Sequence, residues 1–310
     1  SPTSRIPAMT TLPTIPASQT VFAMSPDNAP VLRVASGSRV RFETCDCFTD
    51  QIQTPADTFD NLDWNRINPA TGPLFVEGAE PGDTLRVHIR RIELGKQAVL
   101  ATLPGAGVAG NRLERGRIDI VPVEDNHVVL FGKVRLPLNP MIGVIGTAPA
   151  EGAISCGTPD AHGGNMDTKI IAEGTTLLLP VNVPGALLAM GDLHAGMGDG
   201  EVGISGLEIK GAVEVDVSVI KGRPYPLPLA VTADCCYTIA SSPDLDQAAE
   251  TATLMATDLL TAHGGLDANQ AIALQSIAGD LQVCQVVDPN KTCRFALPRK
   301  VTEQLGVELP

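Results

Sequence analysis

The stretch Asp83–Leu94, DTLRVHIRRIEL, alternates apolar and polar residues along its length. Successive side chains of a β-strand point to opposite faces of the sheet, so this period of two predicts a strand with one buried face. The segment 212–220, AVEVDVSVI, has the same alternation, and Leu281–Val287 predicts a final strand. These segments predict a chain built mainly from β-sheet.

Four further segments extend this prediction. His127–Phe131 and Lys133–Leu136 predict a pair of neighbouring strands, and Val31–Phe42 predicts a hairpin around a glycine turn. The apolar segment Thr175–Ala189, interrupted by two prolines, predicts strand structure that is buried on both faces. Glycine and proline together number 55, which favours many turns and short strands over long helices.

One strong helix is predicted near the C-terminal end of the chain. Ser242 can cap it, apolar residues recur at helical spacing over 245–259, and the glycines at 264–265 end it. A second helix is predicted to start at Asp267. The predicted fold class is mainly β, with β-sandwich or barrel-like sheets and a small α/β element that contains this late helical pair. The predicted organisation is an N-terminal arm at 1–20 and one β-rich unit at 21–310, to which 225–298 contributes a helix-containing subregion.

Composition excludes several classes of protein. The 310 residues are 44% apolar and carry a net charge of −13, so the chain can bury a substantial core and is not disordered as a whole. Phosphate binding needs clustered Lys and Arg, so we expect no nucleic-acid partner. No apolar stretch is long enough to cross a bilayer, and we expect no membrane partner.

The seven cysteines indicate a reducing environment. Their number is odd, two of them are adjacent and none forms a C-x-x-C pair, which argues against a disulfide framework and against a cysteine-rich zinc knuckle. The N-terminus has no basic region followed by an apolar one, so no signal peptide is visible. We therefore expect a cytoplasmic protein.

Four polar stretches lie beside predicted strands, at 43–52, 68–83, 160–167 and 190–201. The first two contain acidic residues in turn-like sequence, and taken alone each is more typical of a capped loop than of a site. The third places His162, Asn165 and Asp167 beside two glycines. The fourth, MGDLHAGMGDGE, is either a glycine-rich surface turn or part of a site.

Asp192 and His194 in the fourth stretch are two residues apart, so in a strand they point to the same face. Flexible glycines could then bring Glu201 back toward His194. Histidine together with carboxylates suits a divalent metal, with zinc the first expectation and manganese or calcium as alternatives. Such a metal activates water, a carboxylate can accept the proton, and an Asn amide can orient a carbonyl.

Other nucleophiles are less well supported by the sequence. There is no phosphate-binding loop and no nucleophile elbow of a serine hydrolase. Cys156, in Ser-Cys-Gly-Thr, is a competing nucleophile, but no base and no helix N-terminus is evident beside it.

Several long motifs in the same order resemble the acetamidase/formamidase family of amide hydrolases. They are NPATGPLFVEGAEPGD (68–83), HGGNMDTK (162–169), GDLHAGMGDGEV (191–202) and QVVDPNKT (285–292). The similarity extends over nearly the whole chain, from about residue 27 to 298. The loop at 43–52 departs from the formamidase-like pattern in its glycine and aromatic positions, which leaves a bulkier or cyclic amide as an alternative substrate.

The resemblance implies a β-rich fold with a small helical element, homo-oligomerisation as a dimer or larger assembly, and metal-assisted hydrolysis of a short carboxamide to the acid and ammonia. The resemblance also implies a set of candidate site residues. The metal ligands are Asp46, His162, Asp192 and His194, and the catalytic residues are Glu201, Asn165 and Asp167. Our hypothesis is that Glu201 is the general base and that Asn165 binds the amide carbonyl. The alternatives are hydrolysis of a bulkier or cyclic amide, a Cys-dependent amidase, and a non-catalytic β protein that binds a small molecule or a cation.

Overall fold

The computed structural model of the protein describes residues 12–310, which consist mostly of β-strands. The strands are β1 Thr14–Ile15, β2 Thr20–Val21, β3 Ala23–Met24, β4 Leu32–Ala35, β5 Ser38–Thr44, β6 Ala70–Glu77, β7 Thr84–Leu94, β8 Gln97–Thr102, β9 Arg117–Pro122, β10 His127–Leu130, β11 Val134–Pro137, β12 Met141–Gly146, β13 Ile154–Ser155, β14 Gly163–Asn165, β15 Thr176–Pro180, β16 Ala186–His194, β17 Glu208–Ile209, β18 Gly211–Ile220, β19 Leu229–Val231, β20 Cys235–Ser242, β21 Asp280–Gln285 and β22 Lys291–Pro298. The helices are α1 Leu245–His263, α2 Ala268–Ala278 and α3 Arg299–Gln304, with short 3-10 helices at Phe59–Asn61 and Gly110–Arg112.

The first sheet has nine strands in the order β1-β5-β18-β7-β15-β19-β20-β22-β21. The alternating segment at 83–94 forms β7 within this sheet, where it pairs with β18 on one side and β15 on the other. Leu85, Val87 and Ile89 are fully buried, whereas Arg86 and His88, which lie between them, are half-buried. The period of two thus separates the core face from the outer face, as the sequence predicts.

The second sheet contains the order β14-β12-β16-β17-β8-β9, and β6 pairs with β16, β2 and β4. Residues of both sheets share one hydrophobic core: Val87 and Val213 come from the first sheet, and Leu74, Ile142 and Leu188 from the second. The two sheets therefore pack as a sandwich around aliphatic side chains. The predicted mainly β fold class is confirmed.

The predicted hairpin at Val31–Phe42 is wrong. Both strands exist, but β4 pairs in parallel with β6 in the second sheet, whereas β5 pairs with β18 and β1 in the first. The turn at Gly37, with φ +94°, carries the chain from one sheet to the other. Alternation predicts a strand but does not specify its partner, because pairing depends on distant segments.

The two strands in the apolar segment 175–189 also belong to different sheets, β15 to the first and β16 to the second. Every residue of both strands is buried, which confirms that this segment is buried on both faces. The pair β10 and β11 forms an antiparallel ribbon, as predicted.

The helical pair packs on the first sheet. Ala248, Ala252 and Leu259 of α1 join a second hydrophobic cluster with residues of β20 and β22. The N-cap of α1 is Asp244, whose side chain accepts a hydrogen bond from the backbone N of Asp246, so the predicted cap at Ser242 is displaced by two residues. The predicted cap of α2 is confirmed, since Asp267 forms a capping box with the third residue of the helix.

Part of the predicted arm at 1–20 lies outside the described residues. Within the described part, β1 pairs with β5 and Ile15 is almost fully buried. All seven cysteines lie within residues 12–310 and each carries a free thiol. No helix between residues 12 and 310 is long and apolar enough to span a membrane.

Candidate active site

Two site residues lie at the end of β16 in the second sheet. Asp192 and His194 are both buried, and Nε2 of His194 lies 3.3 Å from Oδ1 of Asp192. His194 pairs in register with Glu208 of β17, and the Glu208 Oε2 atom lies 3.0 Å from the same nitrogen. Strand pairing therefore places one carboxylate from each of two neighbouring strands on the imidazole.

The glycine-rich loop after β16 returns Glu201 to the strand end. Oε2 of Glu201 lies 3.8 Å from Nε2 of His194, and Glu201 is only 6% exposed. The loop is fastened to β21, because the backbone N of Gly200 donates to the carbonyl of Cys284 and the carbonyl of Gly200 accepts from Val286. The segment 190–201 therefore forms one wall of a buried cluster of polar side chains.

An ion pair between the buried Arg294 and the exposed Asp199 also holds this loop. Arg294 of β22 donates to both carboxylate oxygens of Asp199, at 3.0 and 2.9 Å, and to Gln282 at 2.7 Å. A bidentate guanidinium–carboxylate contact fixes orientation as well as distance. Asp199 is two residues from Glu201, so this contact restrains the segment that carries the Glu201 carboxylate.

Two more carboxylates complete the cluster. Asp167 follows β14, and Asp288 lies between β21 and β22. Ligand atoms of Asp167, His194 and Glu201 all lie within 4.8 Å of one another, and Asp288 lies near enough to Asp167 and Glu201 to add to the effect of burial, which raises the pKa of Asp167. Four buried carboxyl groups, those of Asp167, Asp192, Glu201 and Glu208, thus surround one imidazole, and the half-buried Asp288 extends the cluster beside them.

Three of these residues have left-handed backbone conformations. The φ angles are +42° at Asp167, +52° at Asp192 and +45° at Glu201. A residue with a side chain adopts this region at a cost of about 1–3 kcal/mol, and such residues concentrate at functional sites. The surrounding sheets hold the strained residues in place and direct their carboxylates into the cluster.

Gly143 of β12 provides the space for two of the carboxylates. A Cβ atom at this position would lie 2.5 Å from Oδ2 of Asp192 and 2.6 Å from Oδ1 of Asp167. Any side chain on residue 143 would therefore collide with both. The absence of a side chain is what allows the two carboxylates to approach each other.

The cluster shifts the pKa values of its own members. Burial, reinforced by neighbouring carboxylates, raises the pKa of Asp167 and Glu208 well above the usual range. Burial likewise raises the pKa of Asp288 well above its usual range, with Glu201 and Asp192 adding to the effect. Burial is also the largest cause for Glu201 and raises its pKa to about 7, although the nearby imidazole acts in the opposite direction.

The cluster also shifts the pKa values of His194 and of the neighbouring Asp192. Burial lowers the pKa of His194, but Glu208 and Asp192 together outweigh it and hold that pKa well above the usual range. Burial also opposes ionisation of Asp192, but contact with His194 and hydrogen bonds keep its pKa below the ordinary value. One cation thus faces several buried acids, and the cluster requires protons or a further cation for charge balance.

The donor set fits a divalent ion. Oδ1 of Asp167 and Oδ2 of Asp288 are buried and have no hydrogen-bond partner among residues 12–310, so they are free to bind a cation, whereas Oε2 of Glu208 contacts Nε2 of His194. Ligand atoms of Cys47, Asp192 and Glu208 form a second group within 4.8 Å of one another. Imidazole with carboxylates suits zinc, and carboxylate-rich sets also suit manganese and calcium.

A cavity of about 310 Å³ opens onto the cluster. Its polar lining includes Asn165 and the carboxylates of Asp167, Asp192, Glu201, Glu208 and Asp288. Its other walls include Phe48, Phe59, Trp64, Ile67 and Leu103. A concave site that is mostly apolar with a few converging polar groups is typical of small-molecule binding.

Two of the predicted metal ligands take other positions. Oδ1 of Asp46 accepts hydrogen bonds from the backbone N atoms of Phe48 and Asp50, at 2.9 and 2.8 Å, so this oxygen caps the turn after β5. Its pKa is raised to about 6, chiefly by burial. His162 is buried and belongs to neither group of ligand atoms found among residues 12–310, and burial lowers its pKa to about 4.

Asn165 lines the cavity, where its Nδ2 donates to the carbonyl of Gly157 at 3.3 Å and its Oδ1 has no partner. Cys156 does not line this cavity. Its thiol is directed at the carbonyl of Val21, and burial raises its pKa to about 12, so it lacks the thiolate character that a nucleophile needs.

Sequence reasoning missed three residues at the site. Glu208 is a single acid between the apolar residues Leu207 and Ile209, and a charge in a buried strand would have been a signal. Asp288 lies within one of the quoted family motifs. Cys47 gave no local signal, because only the packing of the 45–69 loop brings it to Asp192 and Glu208.

Comparison with known proteins is consistent with this geometry. The sequence matches the profile of the Acetamidase/Formamidase family over residues 17–155 and 150–233, which is more than half of the chain. The crystal structure of an acetamidase from Bacillus halodurans is 49% identical and superposes with a TM-score of 0.93, covering 95% of this chain and all of the other. A predicted acetamidase/formamidase from Thermoanaerobacter tengcongensis is 50% identical, with a TM-score of 0.93 over 96% of this chain and 98% of the other.

More distant relatives share part of the chain. The formamidase of Methylophilus methylotrophus is 26% identical, and the match covers 63% of each protein. The chain spans 61% to 65% of the length of the curated relatives that it matches. The extent of the family match, together with the fold that it shares with these crystal structures, shows that this chain belongs to the acetamidase/formamidase family.

Proposed function

We propose that the protein hydrolyses a primary carboxamide to the carboxylic acid and ammonia with the help of a divalent ion. The observation that carries the proposal is the buried His194 with carboxyl oxygens of Asp192, Glu201 and Glu208 at 3.3, 3.8 and 3.0 Å, in a cluster that lines a cavity. The names of the relatives, acetamidase and formamidase, support amide hydrolysis as the reaction. The homo-oligomeric state and cytoplasmic location that the sequence suggests stay predictions.

Asn165 positions the amide. Its Oδ1 has no partner and can accept an N–H of the substrate, while its remaining Nδ2–H can donate to the carbonyl oxygen. An amide group offers both complementary atoms, so one side chain can fix its orientation. Asn165 thereby holds the carbonyl carbon in one position beside the carboxylates.

Glu201 acts as the general base. Its raised pKa of about 7 leaves a substantial fraction ionised at neutral pH while keeping it basic enough to accept a proton. It takes a proton from water as the water oxygen bonds to the carbonyl carbon. The same carboxyl group then gives that proton to the nitrogen, the C–N bond breaks, and ammonia leaves.

His194, Asp192 and Glu208 would hold the ion, since Nε2 of His194 lies 3.3 and 3.0 Å from oxygens of the two acids. Such an ion supplies positive charge that lowers the pKa of water and polarises a carbonyl. Of the ligands predicted from sequence, His194 and Asp192 are retained, whereas Glu208 replaces Asp46 and His162. We propose zinc first, with manganese and calcium as alternatives.

The test measures ammonia release from acetamide and formamide by purified protein. Treatment with a chelator should abolish turnover, and adding back one divalent ion should restore it. Glu201→Gln should lower kcat by at least about 100-fold, whereas Glu303→Gln, a change to an exposed acid of α3, should leave kcat unchanged. Unchanged turnover in Glu201→Gln would refute the role of the base, and full activity after metal removal would refute the role of the ion.

A further inference from the structure

The apolar walls of the cavity come largely from one loop. The segment 45–69 between β5 and β6 supplies Phe48, Phe59, Trp64 and Ile67 to the lining. Phe59 and Trp64 stack, with ring centroids 6.3 Å apart and an interplanar angle of 23°. This paired aromatic surface faces the same cavity as the carboxylate cluster.

The volume exceeds what a very short amide needs. At about 30 Å³ for each water molecule in the liquid, the cavity of about 310 Å³ could hold roughly ten. Formamide or acetamide bound at the carboxylate cluster would leave the aromatic walls in contact with water. A substrate with a larger apolar group would fill this space and remove the walls from water.

Trp64 is the residue with the most to gain from such contact. It is 54% exposed, although large aromatic side chains are usually well buried. Single exposed apolar residues are common, but this one stacks on a partner and lines a concave site. The charged residues that line the cavity are all acids of the cluster already described, and no other charged residue between 12 and 310 joins the aromatic residues in the lining.

We propose that the cavity binds amides whose acyl group is apolar and about the size of a phenylalkyl group, and that Trp64 and Phe59 determine this specificity. The proposal rests on the proposed function in one respect, that the amide group lies at the carboxylate cluster. The acyl group then extends between the aromatic walls. Its burial contributes binding free energy that a one-carbon or two-carbon amide cannot supply.

The first experiment measures kcat/KM for acetamide, butanamide, hexanamide and phenylacetamide. We expect an increase of about fourfold for each added methylene, the factor that corresponds to burying one methylene. Trp64→Ala should lower kcat/KM for phenylacetamide by about tenfold and leave acetamide within about twofold. Phe131→Ala, which removes another exposed aromatic side chain that does not line this cavity, should change neither value.

The second experiment separates binding from turnover. Trp64 is the single tryptophan of the sequence, so its fluorescence reports directly on this wall. Titrating the Glu201→Gln variant with phenylacetamide should give a saturable change in emission, whereas acetamide at the same concentrations should give none.

The outcomes distinguish this inference from the proposed function. If the protein hydrolyses acetamide best and Trp64→Ala has no effect on any amide, the inference is wrong while the activity stands. If no amide is hydrolysed but phenylacetamide still changes the emission of Trp64, the activity is wrong while the binding preference stands. Emission that changes with protein concentration alone would mean that a second copy covers Trp64, and it would overturn the inference.

Discussion

Replacing Gly143 by alanine tests whether the close approach of two carboxylates is needed for activity. The new Cβ would lie 2.5 Å from Oδ2 of Asp192, whereas ordinary contacts begin at 3.4 Å, so atoms must move by about 0.9 Å. It would also lie 2.7 Å from the backbone O of Asp192, so a side-chain rotation alone cannot relieve the collision. Overpacking of this kind costs about 1–3 kcal/mol, and a displacement of about 1 Å in a catalytic group can cost 100-fold in rate.

The assay pairs thermal unfolding with ammonia release. Gly143→Ala should lower kcat by about 100-fold while the protein remains folded at 25 °C, because 1–3 kcal/mol is only part of the stability of a domain this size. The matched control is Gly264→Ala, whose Cβ would lie 2.7 Å from the backbone O of Leu260 at the end of α1, away from the cluster. It should lose similar stability and keep its kcat. Equal rates for the two variants would refute the argument that Gly143 sets the carboxylate geometry.

Four further predictions concern stability, pH dependence and the thiol. Arg294→Met should lower the free energy of unfolding in urea by about 1.5 kcal/mol, because it removes the charge-assisted hydrogen bonds from a buried guanidinium to Asp199 and Gln282; an unchanged free energy of unfolding would contradict this. Leu259→Ala should cost about 2–5 kcal/mol by the same measurement, since it opens a cavity in the core beneath α1. The Lys221 ammonium holds the pKa of Asp83 at about 2, so the pair contributes stability above pH 3.8 that is lost as the pH falls through 2. Lys221→Met should therefore move acid unfolding, followed by circular dichroism, to higher pH. The control variant Lys133→Met should leave the acid unfolding transition where it is. Cys156→Ser should retain kcat within about threefold, and a loss of 100-fold would restore the Cys-dependent mechanism.

Local patterns carried much of the fold. Alternation over 83–94 specified β7 with its buried face, and the residues around Asp267 specified the start of α2, because both depend on neighbours within a few positions. The spacing of Asp192 and His194 likewise predicted a shared face, and their side chains are in contact in the structure. Each of these features is fixed by short-range stereochemistry.

Local patterns could not predict which strands pair or which distant side chains meet at the site. Strands β4 and β5 look like a hairpin in sequence, yet their partners are β6 and β18, which lie far along the chain and in different sheets. Glu208 and Asp288 reach His194 only because β17 pairs with β16 and the β21–β22 turn packs against the glycine-rich loop. His162 and Asp46 carried suitable chemistry, but His162 belongs to neither ligand group found among residues 12–310, and an oxygen of Asp46 caps a turn.

The sequence by itself determined the mainly β character, the cap of α2 and the family, since strand period, capping and motif order are properties of neighbouring residues. Tertiary structure alone decided which acids surround His194. Bringing carboxylates from four distant segments together opposes their mutual repulsion, and only the packing of two sheets around a common core supplies enough free energy to hold them there.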